Sequence, residues 1–242
     1  MDIFGLPIPV GYEIPFFATL IVIGVKFSIA AFLGRRVYKQ SKTQTKRRLT
    51  FIGAAFLLIL CLGISRSIYF YYDFFLTQFI PANLFIKPNI YYWQVATCIA
   101  GYSGAFLLFV LERDIYRFKT CLIPTGAVIV ISTIQLLYPV NNMDDFQFVS
   151  TIGIIGTLGM LLAIITFIYL AIKSSGLLRK VCVALMIGVF IYAIAGMAMS
   201  ENILGAIDAA IPGARAVVIL LVPIFKIVAF TIITWGAVNF QL

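Results

Sequence analysis

Three basic side chains interrupt stretches that are otherwise apolar: Lys26 in the run 14–33, Arg66 in the run 49–72 and Lys226 in the run 216–240. A cation placed in hydrocarbon costs about 2.5–3.5 kcal/mol on insertion scales, so each is retained only where something answers its charge. Three answers are available. An amine can be held neutral, its stem can carry it to headgroups or water, or an anion can supply the missing charge. Asp73 follows Arg66 by seven residues, two helical turns along one face, a distance that only long side chains or water would bridge. Thr19 precedes Lys26 by seven residues, and Arg215 precedes Lys226 by eleven, which also keeps each pair on one face. No carboxylate falls at the depth of the two lysines. The chemistry in reach is the binding of an anion, a carboxylate or a lipid phosphate, with Lys26, Arg66, Lys226 and Asp73 as the predicted ligand-binding set.

Catalysis lacks its usual parts. The chain has no histidine, no pair of carboxylates within an apolar run, no GxSxG and no phosphate-cradling glycine loop. No catalytic residue is assigned, and no enzyme is expected. Cys61, Cys98, Cys121 and Cys182 lie apart without a CxxC spacing, so no metal site is expected and they read as small apolar packing residues. Glu112-Arg113-Asp114 closes the third apolar run at its expected cytoplasmic edge. Arg113 can pair with either acid to cap the interface, or reach a neighbouring helix as a cytoplasmic switch. Pro223 stands three residues before Lys226, where a proline frees a carbonyl and kinks a spanning helix.

The elements that must position these groups are spanning helices. Of 242 residues, 62% are hydrophobic and 11% charged, and the mean hydropathy is +1.07. A soluble domain cannot hide that much apolar surface. Seven runs are read as helices because an unpaired backbone group in hydrocarbon costs several kcal/mol. They cover 14–33, 49–72, 90–111, 121–138, 148–172, 181–199 and 216–240. Seven spans need about 140 residues, which makes 1–242 a single all-α membrane domain without a fused effector unit. The first span is expected to stay, since the N-terminus lacks the basic segment of a cleaved signal.

The net charge of +9 does not point to nucleic acid, because 13 of the 18 Lys and Arg residues sit in three short polar stretches. RRVYKQSKTQTKRR carries seven, while ERDIYRFKT and KSSGLLRK carry three each. The opposite side has Lys87 and Arg215 against Asp2, Glu13, Asp73, Asp144, Asp145, Glu201 and Asp208. The positive-inside rule then places the N-terminus outside and the C-terminus in the cytoplasm, in a multi-pass protein of the cell membrane. Aromatics from Tyr69 to Phe75 and from Tyr91 to Trp93 are expected in the outer headgroup layer. The stretch between them, broken by Pro81 and Pro88, is expected on the membrane surface. Gly101, Gly104, Gly153, Gly156 and Gly159 are assigned to close helix contacts within the bundle, with a seam between two copies as the alternative.

Seven helices in this orientation, Lys226 in the middle of the last and Glu112-Arg113-Asp114 closing the third resemble the rhodopsins and seven-helix receptors. The resemblance implies a sensory role, and it makes Lys226 the position that would carry retinal as a Schiff base. The match is uneven. Val222 stands one turn before Lys226 where microbial rhodopsins carry an aspartate, and the third run has no carboxylate counterion. The resulting expectation is a non-enzymatic receptor-like sensor with a basic intramembrane pocket for an anionic small molecule or lipid. Its partners would be the bilayer, including anionic lipid, a separate cytoplasmic effector and a second copy of the chain. A small transporter and a structural assembly subunit are the rival readings.

Overall fold

The computed structural model of the chain describes residues 2–3, 6–7, 12–43, 50–159 and 161–240. Apart from a two-rung antiparallel ladder, β1 (Asp2–Ile3) with β2 (Leu6–Pro7), the described residues form helices and their connections. The helices are α1 (Glu13–Thr43), α2 (Phe51–Tyr71), α3 (Asn89–Asp114), α4 (Ile123–Leu137), α5 (Met143–Leu158), α6 (Leu161–Lys173), α7 (Gly176–Met197), α8 (Glu201–Ala210) and α9 (Ala214–Asn239).

Local chemistry sets many of the ends. Glu13 lies in the first turn of α1 and Lys42 in its last, each opposite in sign to the helix dipole beside it. Thr50 caps α2 by accepting a hydrogen bond from the Gly53 N–H at 3.3 Å. Asn142 accepts from the Asp145 N–H at 2.8 Å ahead of α5, where Asp144 and Asp145 occupy the first turn. Beyond Tyr71, α2 widens into a π-helical turn over Tyr72–Thr77. Gln78 and Phe79 end it with positive φ angles of 52° and 59°.

Six helical stretches among the described residues are long and apolar enough to cross a membrane: Glu13–Lys42, Phe51–Thr77, Asn89–Asp114, Met143–Lys173, Gly176–Met197 and Val217–Asn239. They mark the chain as a membrane-embedded helical protein. α4 is the exception. Its 15 residues span only about 22 Å, less than the hydrocarbon core of roughly 30 Å. The expected fifth span consists of α5 and α6 placed end to end, with a break at Gly159. α1 also runs ten residues past Leu33, through a stretch expected as a loop, because Arg, Lys and Gln are good helix formers. Lys46, Arg47 and Arg48 of that basic stretch lie outside the described residues, as do the side chains of Asp2 and Glu201.

From α1 to α5 successive helices pack side by side, α6 packs on α7, and α9 closes the ring against α1 and α7. Because lipid tails are as apolar as leucine, close packing rather than water exclusion holds such helices together. Glycines make this approach feasible. A β-carbon on Gly101 would lie 1.9 Å from Ser132 Oγ, one on Gly153 2.4 Å from Gln135 Nε2 and one on Gly156 2.9 Å from Ile131. These three glycines thus seat α4 between α3 and α5, as expected of contacts within the bundle.

The connection after the π-helical turn folds back on the end of the bundle. The Tyr72 hydroxyl donates to the Leu84 carbonyl at 2.7 Å, and both side chains pack with Ile90, Val140, Phe146 and Val149. Ile80 and Ile86 remain 46% exposed. The aromatics expected in the headgroup layer divide accordingly. Tyr71, Tyr91 and Tyr92 face outward, whereas Tyr72 and Phe74 are each 1% exposed and belong to the core.

Candidate functional site

One face of α2 carries the key residues. Phe51, Ala55, Leu58, Leu62, Arg66, Tyr69 and Asp73 recur at steps of three or four along it and face the interior of the ring. They line a cavity of about 390 Å³ whose walls also include Lys26 of α1, Trp93 and Thr97 of α3, Tyr192 of α7 and Lys226 of α9. That volume lies within the range of roughly 300–1,000 Å³ typical of ligand sites. All four residues of the predicted ligand-binding set are therefore together on one cavity wall.

Their partners differ. Arg66 Nη1 lies 3.3 Å from Asp73 Oδ2, and Arg66 Nη2 donates to Thr19 Oγ1 at 3.3 Å. Sequence spacing alone put Asp73 within reach only of long side chains or water. The pair is direct: the long guanidinium side chain extends along the helix and reaches Asp73 at the start of the π-helical turn. The two side chains are 14% and 18% exposed.

Lys26 is 2% exposed and turned inward. Its Nζ donates to the Leu62 carbonyl at 2.9 Å and sits 5.1 Å from the centre of the Phe230 ring. A carbonyl has two lone pairs and can accept this bond beside its helical one, and the ring face adds a cation–π attraction. Lys26 thereby ties α1 to α2 and α9.

Lys226 is half-buried and lines the cavity. It also lines a water-sized side cavity of about 10 Å³ with Thr19, Arg66, Met199 and Val222. Among the described residues it forms no hydrogen bond and no ion pair. Three basic side chains and a single carboxylate thus line the described cavity wall, and the lysine of α9 is the basic group without a bonded partner among the described residues.

Tyr69 and Thr97 escaped the sequence reading. Tyr69 was counted with the outer aromatics, yet its hydroxyl bonds Thr97 Oγ1 across the α2–α3 seam. Its place one turn after Arg66 was the available signal. Trp93, likewise expected at the headgroups, lines the cavity and packs on Phe146 with ring centres 5.1 Å apart. Tyr192 lies against Phe230 at 5.0 Å.

Glu112, Arg113 and Asp114 lie at the far end of α3, away from the cavity. Glu112 is 0% exposed. It accepts from the hydroxyls of Thr120 and Thr125 and from the Thr125 N–H, the last at 3.3 Å. The carboxylate therefore sits at the N-terminus of α4, where the helix dipole favours a negative charge. Arg113 grips Asp114 through Nε at 2.6 Å and Nη2 at 2.9 Å.

Among the described residues no three His, Cys, Asp or Glu side chains converge as metal ligands would. Cys61, Cys98, Cys121 and Cys182 are free thiols, and Cys121 is exposed rather than packed. A retinal Schiff base on Lys226 fits the site poorly. Its protonated nitrogen needs a carboxylate, and Asp73, the one that lines the described cavity, already answers Arg66. The chain matches no protein-family model, no curated protein and no solved structure.

Proposed function

We propose that this protein is a receptor-like membrane protein that crosses the cell membrane seven times and binds an anionic small molecule or lipid in its internal cavity. The observation that carries this reading is Lys226, a cation on the cavity wall with no bonded partner among the described residues. A charge so placed is costly, and an anion entering the cavity would remove that cost by forming a charge-assisted hydrogen bond with Nζ. The neighbouring groups favour this role. Arg66 and Lys26 are already engaged, so the site is held in shape before a ligand arrives, and preorganisation lowers the cost of binding.

In this reading α4 serves as the fourth of the seven spans, tilted or in locally thinned bilayer. The basic stretches after α1, α3 and α6 face the cytoplasm, which puts the N-terminus outside. A separate cytoplasmic effector would read the state of the bundle at that face. We expect Lys226→Met protein, purified from its membrane beside wild type, to lose a co-purifying anion visible by native mass spectrometry. Lys226→Arg should retain it. Unchanged ligand content and unchanged thermal stability in Lys226→Met would remove the proposal.

A further inference from the structure

We infer that the ligand is a single-chain carboxylate amphiphile, a fatty acid, with its carboxylate at Lys226 and its chain laid along α2; this rests on the reading of the cavity as an anion site. The first ground is the polarity of the cavity, which has two unlike ends. On α2, Arg66, Tyr69 and Asp73 lie on one side of Leu62, and Leu58, Ala55 and Phe51 lie on the other. α9 repeats the order, from Lys226 through Phe230 to Ile233, and α7 contributes Tyr192 beside the polar end and Val189 and Leu185 to the apolar one. The charged side chains are therefore gathered toward one end of the cavity, and the other end is apolar. A small polar anion would leave the apolar arm without a role.

The second ground is shape. From Leu62 to Phe51 the lining covers eleven residues of helix, about 16 Å at 1.5 Å per residue. Half of a hydrocarbon core of roughly 30 Å, the depth reached by one membrane acyl chain, is about 15 Å. From Phe51 to Asp73 the lining extends about 33 Å. A volume of about 390 Å³ lies near the lower end of the roughly 300–1,000 Å³ range of ligand sites, which favours one chain over two. Aromatic rings lie at the foot of the arm, where Phe51 packs on Phe167 at 6.0 Å and on Phe240 at 4.6 Å.

The third ground is charge. Asp73 answers Arg66, and the Leu62 carbonyl and the Phe230 ring hold Lys26. Lys226 is the one basic group left without a bonded partner among the described residues, so it offers a single ammonium to a compact head such as a carboxylate. Together these features describe a carboxylate head and one unbranched tail.

The test is a series of straight-chain carboxylates from butanoate to icosanoate, titrated against delipidated full-length protein, with binding read as thermal shift and referred to the free aqueous monomer. Affinity should rise about fourfold per added methylene and level off near the length that fills the arm. Hexadecanol, which keeps the tail and lacks the charge, should bind at least tenfold more weakly than hexadecanoate, and Lys226→Met should erase that difference. Ala55→Phe, which fills the arm, should move the plateau to shorter chains while leaving the acid-to-alcohol preference intact. If Ala55→Phe does not fold, Leu58→Phe serves for the same comparison. Lys226-dependent binding of acetate or inorganic phosphate with no gain from chain length would overturn the fatty-acid assignment and leave the anion site standing. An absence of any Lys226-dependent anion binding would remove both.

Discussion

Arg66 and Asp73 show how far spacing carries an argument about single residues. Their shared face was legible in the sequence, and spacing left two couplings open, a long side chain or water; the arginine side chain makes the contact directly. The pair is mostly buried, with 14% and 18% exposure. Removing one member of a fully buried pair costs about 3–5 kcal/mol. The residual exposure brings the expected loss for Asp73→Asn to about 2 kcal/mol. Reversible unfolding in mixed micelles, run as a double-mutant cycle with Arg66→Met, should return a coupling of about 1–3 kcal/mol. A coupling near zero would mean that the two groups do not share one charge-assisted bond. Lys26 illustrates the opposite case. Its depth was legible, and its partner was not, since a backbone carbonyl of a neighbouring helix leaves no trace in composition or period.

At the scale of elements, apolar periodicity and the glycine steps carried most of the reading. The runs correspond to helices, with the fifth divided at Gly159 into α5 and α6. The other departures occur where polar chemistry intervenes, as at the basic extension of α1 and at the start of α4. Glu112 explains the latter. It was read with Arg113 and Asp114 as one charged edge, whereas its side chain lies buried under Thr120 and Thr125 and caps α4. Replacing Glu112 with Ala should cost about 1–2 kcal/mol, the usual range for a lost cap and a lost charge at a helix N-terminus. Hydrogen exchange at Gly126, Ala127 and Val128 should accelerate in that variant, while exchange in α9 should not change. Glu112→Gln, which keeps one acceptor, should fall between the two. Equal stability and equal exchange in all three proteins would show that α4 does not depend on the carboxylate.

At the scale of the molecule, hydropathy made a membrane-embedded helical protein legible, because about 20 apolar residues in succession have few other uses. The number of spans is less legible. α4, with 15 residues, is apolar in its period but shorter than the other candidate spans, so period and length disagree there. The proposed orientation makes a distinct prediction. In a Cys121→Ser background, Ser41→Cys should react with a membrane-impermeant maleimide only in inside-out vesicles, and Lys87→Cys only in right-side-out ones. Labelling of both from the same side would contradict a crossing by α2, and the reverse pattern would contradict the proposed orientation. The cavity is the part least legible in sequence, since it requires eight helices to place their side chains around a common space. Its central feature, the unmatched amine of Lys226, is also the most exposed to direct test. An experimental map of the protein purified with its native lipid should contain an anionic group about 2.7–3.2 Å from Lys226 Nζ, the distance of a charge-assisted hydrogen bond. A map in which Nζ turns out of the ring toward headgroups, with no group bound beside Arg66 and Lys226, would contradict the account.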